Sequence, residues 1–540
     1  MYLTINFLQI MLHRYYLLLV PMFLFGCKKE KAVIAEQIIQ KDTIKVTPLA
    51  FPEAIAIDTA YFADYPEEVK QFYKNNLYKT VWTIEKDRKA LTAAIKNSEF
   101  DGLNPDDYSI GSIEKQEAGH KTLSEKELIT NDILQTAVFY KLANHLYNGK
   151  VVPTKLYSDW DLYPKEINLN TKLQNALKHH TIEESLDSLK PDHIVYKRLK
   201  DALQKIENMP KDNVKDIVVS DKIVLNDTNA AMVTIKKRLA YWGDYKKEDS
   251  LTSVYDEKTA GAVKKFQKRH GLTADGVIGK GTVSALNFSK ATRKKQIIAN
   301  LERWRWFPRD LGESYVIINI PDFNLYVVKD NDTVQNHRVV VGRAKRRTPV
   351  LSSRFSNLII NPTWTVPPTI LKEDLTPSAS KNRNYFANTG ITIYDMKGNV
   401  VSPGDWNANK SNNYRYVQKP GSNNSLGLIK FNFSNKHLVY LHDTNHRDYF
   451  KLNNRALSSG CIRVEDPFKL SGYILDNEEN NWTKEKVDKM IATNKTQSIV
   501  LKKPTFVHQL YWTAWMDKDG LVFRNDIYDL DLELYSKLRD

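Results

Sequence analysis

The stretch 315–342 reads YVIINIPDFNLYVVKDNDTVQNHRVVVG, and it decides the fold of the C-terminal half of the chain. Within it, polar turns separate three apolar, β-branched runs. Short runs of this kind are typical of β-strands. Two more runs of the same character follow at 358–361 and 438–441. We therefore predict a mostly antiparallel β domain, either a sandwich or an open barrel, over residues 289–503.

A long polar segment, about 370–415, interrupts the strands of this domain. It is rich in asparagine and carries the aromatic residues Tyr385, Tyr394 and Trp406. A long irregular segment inside a compact domain is usually either a functional lid or disordered. Because of the aromatic residues, we predict that this segment is a lid.

Cys461 is the candidate nucleophile of the domain, in a stretch 455–464 that reads Arg-Ala-Leu-Ser-Ser-Gly-Cys-Ile-Arg-Val. The small residues before it leave backbone room for an attacking sulfur, and Gly460 permits unusual backbone angles. The N–H groups of Gly460 and Cys461 are therefore candidate donors to an oxyanion. Arg463 is a candidate clamp for a substrate carboxylate, because its guanidinium can form forked pairs.

His442 is the candidate general base and stands at the end of a predicted strand, upstream of Cys461. A neighbouring imidazole also lowers the pKa of a cysteine below about 8.5. His446 is a rival base four positions further on. Asp443 is open to two interpretations, a charged partner of the histidine or a cap of the turn, and we favour the cap.

An acidic cluster near the C-terminus raises the question of a metal site. It consists of Asp526, Asp529 and Asp531. The glycine and glutamate spacing of a calcium loop is missing, so we interpret the cluster as a solvated face. His337 and His508 lack partners at ligand spacing. We predict no metal and no cofactor.

The two chemical motifs resemble the catalytic core of the L,D-transpeptidases of bacterial cell-wall synthesis. That family carries a histidine, then a serine or related residue before Gly-Cys, and soon afterwards an arginine or asparagine. The matching positions are His442, Ser459-Gly460-Cys461 and Arg463. The stretch 361–368, which includes Trp364, also fits the family branch that has a helical scaffold, a peptidoglycan-binding insertion and a lid.

The resemblance implies an enzyme that forms 3→3 crosslinks in peptidoglycan. Cys461 would attack the carbonyl of the third residue of a tetrapeptide stem, release D-Ala and form a thioester. His442 would shuttle the proton, and the carbonyl of Asp443 would orient its ring. Tyr440 and Trp364 would contribute to the substrate site. An amine of a second stem would then complete the crosslink, and carbapenem sensitivity is implied as well.

A small separate domain is predicted over residues 220–288. The run 262–270 has the spacing of an amphipathic helix with a basic face, and turns follow at Asp275-Gly276. The stretch 266–279 resembles the three-helix peptidoglycan-binding domain of cell-wall enzymes. Peptidoglycan stem peptides and glycan are therefore the predicted partners.

The remaining residues complete a multi-domain α+β architecture. Residues 56–219 show helix periodicity without visible chemistry, which predicts a helical scaffold domain. The C-terminal segment, 504–540, is predicted to pack on that scaffold. The net charge of +15 suits a polyanionic partner, but the chain carries no nucleic-acid motif. We expect a monomer that does not bind nucleic acid.

The N-terminus predicts the compartment. A basic pair and an apolar run end at Gly26-Cys27, which resembles a bacterial lipoprotein signal with Cys27 as the lipidated residue. The run is shorter than the roughly 20 residues of a membrane span. We predict a signal peptide 1–27, a tether 28–55 and a periplasmic protein attached to a membrane by its lipid.

Three other functions stay open on the sequence alone. Hydrolysis of the same thioester would make an L,D-carboxypeptidase. Transfer of the stem to an amine of a wall-attached protein would use the same nucleophile. A lipoprotein that only anchors the membrane to the wall would need no chemistry, and the presence of Cys461, His442 and Arg463 argues against it.

Overall fold

The computed structural model describes residues 48–246, 250–478, 482–503, 505–517 and 520–540. The predicted signal peptide, its lipidation site Cys27 and the tether up to residue 47 lie outside the described residues. Within the described ranges, none of the helices combines the length and the apolar character that a membrane span needs.

The N-terminal domain is built around one long helix, α4. Its helices are α1 Glu67–Asn75, α2 Glu85–Asn97, α3 Ile110–Ala118, α4 Glu125–Asn148, α6 Leu169–His179 and α7 Ile182–Asp187. Three further elements, α5 Pro153–Leu156, β1 Trp160–Asp161 and α8 Ile194–Glu207, carry residues that pack in the apolar core of the third domain. A capping box of Ser124 and Glu127 begins α4. The buried carboxylate of Asp132 accepts hydrogen bonds from the N–H groups of Val81 and Trp82. This tie fixes the segment before α2 against α4.

The described end of the predicted tether belongs to this helical domain. Leu49, Phe51 and Ile55 pack against its apolar core. The N–H of Leu49 also donates to the side chain of Asn76, over 3.0 Å. The folded part of the chain therefore begins earlier than the predicted boundary at residue 56.

The predicted small domain contains the three expected helices, α9 Ala231–Tyr241, α10 Glu257–Arg269 and α11 Lys280–Leu286. Its core residues are fully buried: Ile235, Leu239, Val263 and Phe266. The Gln267 side chain holds the turn after α10, because it accepts from the N–H of Gly276 and donates to the carbonyl of Val277, each over 2.9 Å. Gly276 has a φ of +82°, which a residue with a Cβ rarely adopts.

The third domain is mostly antiparallel, as predicted. Helix α12, Lys290–Trp306, leads into it. Its strands are β2 Ser314–Asn319, β3 Asn324–Lys329, β4 Asp332–Gly342, β5 Val350–Ile360, β10 Ile429–Phe433, β11 Leu441–His442, β12 Ala456–Ser458, β13 Ile462–Val464, β14 Gln497–Val500 and β15 Phe506–Leu510. Two helices, α16 Pro467–Asp476 and α17 Lys484–Ala492, complete it.

These strands close into a barrel. The order of pairing is β5, β10, β11, β13, β4, β3, β2 and β15, and β15 pairs again with β5. Strand β15 lies parallel to β2 and antiparallel to β5. The prediction of an open barrel or a sandwich is therefore wrong at this one edge, because a strand from beyond residue 503 fills it.

The predicted lid is an ordered subdomain with its own sheet. Its elements are β6 Trp364–Thr365, α13 Pro368–Ile370, α14 Thr376–Lys381, α15 Tyr385–Asn388, β7 Ile391–Tyr394, β8 Val400–Val401 and β9 Arg415–Gln418. The sheet order is β6, β9, β7, β8. Phe386, Trp406 and Tyr416 form the centre of its apolar core, where the Trp406 Nε1–H donates to the Tyr416 hydroxyl over 2.6 Å.

The C-terminal segment contacts more than the predicted scaffold. After β15 come β16 Ala514–Asp517, β17 Gly520–Phe523 and α18 Asp531–Arg539. The hairpin packs on α8 and α12, and α18 packs on α12. The interpretation of the acidic cluster as a solvated face is wrong for Asp531, which is buried and paired with Arg303.

Candidate active site

The candidate catalytic residues come from two neighbouring strands of the barrel, β11 and β13. These strands are parallel, with Leu441 opposite Ile462 and His442 opposite Arg463. Leu441 and Ile462 are fully buried in the core. Because side chains alternate along a strand, His442, Cys461 and Arg463 share the opposite face of the sheet. The sequence motifs separated by the intervening loop are thus brought side by side.

Cys461 is a free, partly buried thiol beneath the lid. Tyr440 lies beside its sulfur, and both the backbone and the hydroxyl of Tyr440 act to lower the pKa of the thiol. Trp364 of lid strand β6 in turn acts on the Tyr440 hydroxyl and lowers its pKa. Burial raises the pKa of Cys461 above its ordinary value, while Tyr440, Lys430 and Arg463 act in the opposite direction. Burial is the larger effect, so the thiol is protonated at rest and needs a base to give up its proton.

His442 is held in one orientation and is buried. Its ring stands edge-on to Tyr440, with 5.7 Å between the ring centroids. Its Nδ1 lies 2.5 Å from the carbonyl oxygen of Asp443. Because a carbonyl only accepts, Nδ1 carries the hydrogen and Nε2 is left as the acceptor. Burial, reinforced by Arg463, lowers the pKa of His442 to about 3, so the imidazole is neutral at pH 7.

The side chain of Asp443 does not face the imidazole nitrogen. Its carboxylate accepts from the N–H of Leu428 and pairs with Arg447, each over 3.0 Å. The rival base His446 is exposed and lies flat on Tyr449, with 5.1 Å between ring centroids. The geometry therefore favours His442 as the base. The backbone carbonyl of Asp443, and not its carboxylate, makes the contact that orients the His442 ring.

The loop before Cys461 does not form the predicted oxyanion hole at Gly460. The N–H of Gly460 donates to the Ser458 hydroxyl over 3.2 Å, so it is not available to a substrate. The Ser458 hydroxyl in turn donates to the Cys461 carbonyl over 2.6 Å. The N–H of Cys461 donates to none of the described residues. This N–H and the Tyr440 hydroxyl are the remaining candidate donors beside the sulfur.

The same loop is braced from the far side by Thr348. Its hydroxyl donates to the carbonyl of Gly460 and accepts from the N–H of Gly342, each over 2.8 Å. Tyr528, in the C-terminal segment, donates to the carbonyl of Gly342 over 2.6 Å. Gly460 has a φ of +113°, which favours glycine. The brace therefore holds the loop in this conformation.

Ser459 is exposed and connects the catalytic loop to the lid. Its hydroxyl accepts from Arg346 Nη1 over 2.8 Å. The same guanidinium pairs with Glu373 and Asp374 at the base of the lid. Arg343 pairs with Asp374 as well, over 3.2 Å. One arginine therefore joins the lid to the residue two positions before the thiol.

Arg463, the predicted carboxylate clamp, lies on β13 beside His442. Its guanidinium stands 5.4 Å from the ring centroid of Tyr449. Its Nε and Nη1 are buried and have no hydrogen-bond partner among the described residues. Unsatisfied buried donors are costly, so they mark a place for an acceptor. The guanidinium of Arg463 is thus free to bind an acceptor group.

Comparison with known families agrees with the three domains. Residues 67–203 match the family described as "Scaffold domain". Residues 228–286 match "Putative peptidoglycan binding domain". Residues 313–488, which hold His442 and Cys461, match "L,D-transpeptidase catalytic domain". Residues 313–488 are therefore similar to L,D-transpeptidase catalytic domains.

Individual relatives of this L,D-transpeptidase domain were also found. A Haemophilus influenzae protein named "Putative L,D-transpeptidase" is 36% identical over 243 residues, which are 44% of this chain and 49% of that protein. The match thus spans about half the length of the curated relative. The crystal structure of an L,D-transpeptidase from Xylanimonas cellulosilytica is 15% identical, with a TM-score of 0.18, and covers 54% of this chain and 98% of that one. One from Stackebrandtia nassauensis is 15% identical, with a TM-score of 0.20, and covers 53% and 94%.

One residue beside the thiol of the L,D-transpeptidase domain was missed by the sequence reasoning. Lys430 of β10 pairs with His442 in the sheet register. Its Nζ lies 3.8 Å from the ring centroid of Tyr440. The available signal was the alternation of β10, in which Ile429 and Phe431 are buried and Lys430 faces the other way. A single lysine in a strand is too common for that signal to single it out.

The described residues of the chain contain no group of three or more His, Cys, Asp or Glu that could hold a metal ion.

Proposed function

We propose that the protein is an L,D-transpeptidase that forms 3→3 peptidoglycan crosslinks through a thioester at Cys461. The observation that carries the proposal is the arrangement of Cys461 and the neutral His442 on one face of adjoining strands, inside the L,D-transpeptidase domain. A thiol with a positioned base is the arrangement that acyl transfer requires.

The first half-reaction acylates the thiol. The sulfur of Cys461 bonds to the carbonyl carbon of the third residue of a donor stem, and the bond to D-Ala breaks. His442 Nε2 takes the thiol proton and delivers it to the departing amine. The N–H of Cys461 and the Tyr440 hydroxyl stand near the sulfur, where negative charge on the carbonyl oxygen develops.

The second half-reaction decides between crosslinking and hydrolysis. An amine of a second stem attacks the thioester carbonyl, His442 removes a proton from that amine, and the thiol leaves. Water in place of the amine would give a carboxypeptidase product. The lid supports aminolysis, because its residue Trp364 lies beside Tyr440, which neighbours the sulfur, and a lid at this place would limit the access of water.

The location of the reaction is part of the proposal. The matched peptidoglycan-binding domain supports recruitment to the wall. A lipidated Cys27 would attach the enzyme to a membrane and leave the catalytic domain in the periplasm, next to its substrate. The net charge of +15 suits the anionic envelope.

The test is mass spectrometry of products made from tetrapeptide-stem muropeptides. We expect a 3→3 dimer from the native protein and none from the Cys461→Ala variant. Tripeptide without a dimer would make the protein a carboxypeptidase. Neither product, together with no carbapenem adduct on Cys461, would contradict an enzymatic role and favour wall anchoring.

A further inference from the structure

We propose that a cleft on the outer wall of the catalytic barrel binds the glycan strand of peptidoglycan, a chain of N-acetylated amino sugars. The cleft has a volume of about 780 Å³, and neither Cys461 nor His442 lines it. Such a volume is within the range of ligand-binding clefts. The inference rests on peptidoglycan as the proposed substrate, but not on the reaction at Cys461.

The floor of the cleft is the outer face of strands β2 and β3. Because side chains alternate along a strand, Tyr315 and Ile317, which flank the fully buried Val316, point to the outside of the barrel. In the sheet register, Tyr315 pairs with Val328 and Ile317 with Tyr326. All four paired residues line the cleft. The floor is thus an apolar patch that carries two tyrosine rings.

Two tryptophans of the C-terminal segment also line the cleft, and both are supported from behind. Trp512 stacks on Trp304 with 4.0 Å between the ring centroids, and His193 stacks on the same Trp304 over 4.5 Å. Trp515 is partly exposed, and the guanidinium of Arg524 lies 4.8 Å from its ring centroid. Rings that are already held in place lose little conformational freedom when a ligand binds.

One buried carboxylate, that of Asp322, ties two of the rings together. It accepts hydrogen bonds from the Tyr326 hydroxyl and from Nε of Arg524, each over 2.5 Å. Because Arg524 lies against Trp515, the tyrosine and the tryptophan are held as one unit. Flat rings with polar atoms at their edges suit a sugar ring, which has apolar C–H faces and hydroxyl groups around its edge.

The charges around the cleft favour a neutral ligand. The lining residues include four carboxylates and two guanidiniums: Asp192, Asp310, Asp322, Asp517, Arg198 and Arg309. The cleft thus has no excess of positive charge to hold the carboxylates of a stem peptide, although the whole chain has a net charge of +15. Sugar hydroxyl and acetamido groups are uncharged and need no such excess.

The residues of the cleft also have hydrogen-bond donors to spare. The buried Nε1 of Trp512, and Nε and Nη1 of Arg309, have no partner among the described residues. Unsatisfied buried donors are costly, so they mark a place for an acceptor. The hydroxyl and acetamido oxygens of an amino sugar are such acceptors.

The cleft lies beside the domain that matches peptidoglycan-binding domains. Arg524, which supports Trp515, donates from Nη1 to the carbonyl of Arg269 at the end of α10, over 3.2 Å. Arg269 in turn donates from its own Nη1 to the carbonyl of Leu521 in the β16–β17 hairpin, over 3.1 Å. A glycan strand held by the small domain therefore has a second contact within reach on the barrel.

The test is hydrogen exchange and calorimetric titration of the full chain with an oligosaccharide of N-acetylglucosamine. We expect the sugar to slow exchange in residues 309–317 and 511–517. Trp515→Ala should weaken binding at this site by about tenfold, because aromatic rings carry much of the energy of a binding site. Trp515→Tyr keeps a ring and should retain most of the affinity. Trp482→Ala is the matched control, because Trp482 is also partly buried against the barrel core but does not line the cleft.

The outcomes are read once circular dichroism shows that the variants are folded. Slower exchange at the cleft, lost in Trp515→Ala and kept in Trp482→Ala, supports the site. Protection confined to residues 228–286 overturns it, and so does an unchanged response in Trp515→Ala. Protection of the cleft by a free stem peptide, with none by the oligosaccharide, overturns it as well, since the ligand would then be a peptide.

The sugar titration does not depend on the thiol. It is carried out on the native protein and on the Cys461→Ala variant, and we expect the same affinity in both. Crosslinking by the native protein is measured separately, so failure of the proposed reaction and failure of this inference are distinguishable.

Discussion

At the scale of single residues, backbone atoms do much of the positioning that other cysteine enzymes leave to side chains. The ring of His442 is oriented by the Asp443 carbonyl, over 2.5 Å. The carboxylate of Asp443 instead ties Leu428 and Arg447. Adding a Cβ at Gly427 would collide with this carboxylate, so the loop is shaped around it. The base His442 is thus oriented by a neutral peptide carbonyl, where a Ser-His-Asp triad uses a carboxylate.

A prediction follows for Asp443→Asn. The carbonyl that orients the imidazole is unchanged, and the amide oxygen still accepts from Leu428. We therefore expect the rate constant for acylation by a carbapenem to fall by less than about tenfold. Removing the charge from a Ser-His-Asp triad costs about 10⁴ in rate. A loss of that size, in a variant with a native melting temperature, would show that the carboxylate acts on the imidazole.

At the scale of elements, the catalytic loop is held between two supports that are distant in sequence. Thr348, between β4 and β5, fixes the carbonyl of Gly460. Arg346, two residues earlier, binds the Ser459 hydroxyl and two lid carboxylates. The short connection between β4 and β5 therefore both positions the catalytic loop before Cys461 and attaches the lid to it.

The variant Thr348→Val tests the first support. It keeps the shape of the side chain but removes the hydrogen bonds to Gly460 and Gly342. We expect acylation to slow by roughly tenfold, because each lost bond costs about 1 kcal/mol. The control is Thr136→Val, a buried threonine in the helical domain that bonds Tyr73 and Trp82. It should lower the melting temperature without slowing acylation, and equal slowing in both variants would contradict the role of Thr348.

The variant Arg346→Gln tests the attachment of the lid. We expect a several-fold rise in the ratio of hydrolysed to crosslinked product, because a loosened lid admits water. High salt should raise the same product ratio in the native protein, because it screens the ion pairs of Arg346. Arg343→Gln is the matched control, since Arg343 shares Asp374 but is more exposed and does not contact Ser459. An unchanged product ratio in Arg346→Gln would show that these ion pairs do not govern water access.

The sequence predicted those elements whose signal is local. Alternating apolar runs indicated the strands, and the glycine before Cys461 marked the nucleophile loop. The sequence did not identify Lys430, Thr348 and Arg346, because each is a common residue type whose role depends on contacts with residues distant in the chain. Strand β15 was not predicted for a related reason. Its partner β2 lies almost two hundred residues upstream, and a parallel pairing at that separation leaves no local pattern.

At the scale of the whole molecule, the catalytic barrel depends on the C-terminal segment. Strand β15 supplies the pairing between β2 and β5 that closes the barrel. Beyond it, Tyr528 reaches back to the loop that braces Gly460. Asp531 pairs with Arg303 of α12, and so joins the end of the chain to the helix that leads into the barrel. The domain is therefore completed only by residues that follow 503.

Two substitutions in β15 test this dependence. Val507 is fully buried, whereas its neighbour Phe506 faces outward and is 36% exposed. Val507→Asp would place a carboxylate in the core, at a cost of several kcal/mol. We expect it to abolish acylation and to make residues 289–540 sensitive to limited proteolysis, while the separate helical core around α4 stays protected. Phe506→Asp should remain folded and active. If Val507→Asp were acylated at the native rate, the barrel would not need β15 for its stability.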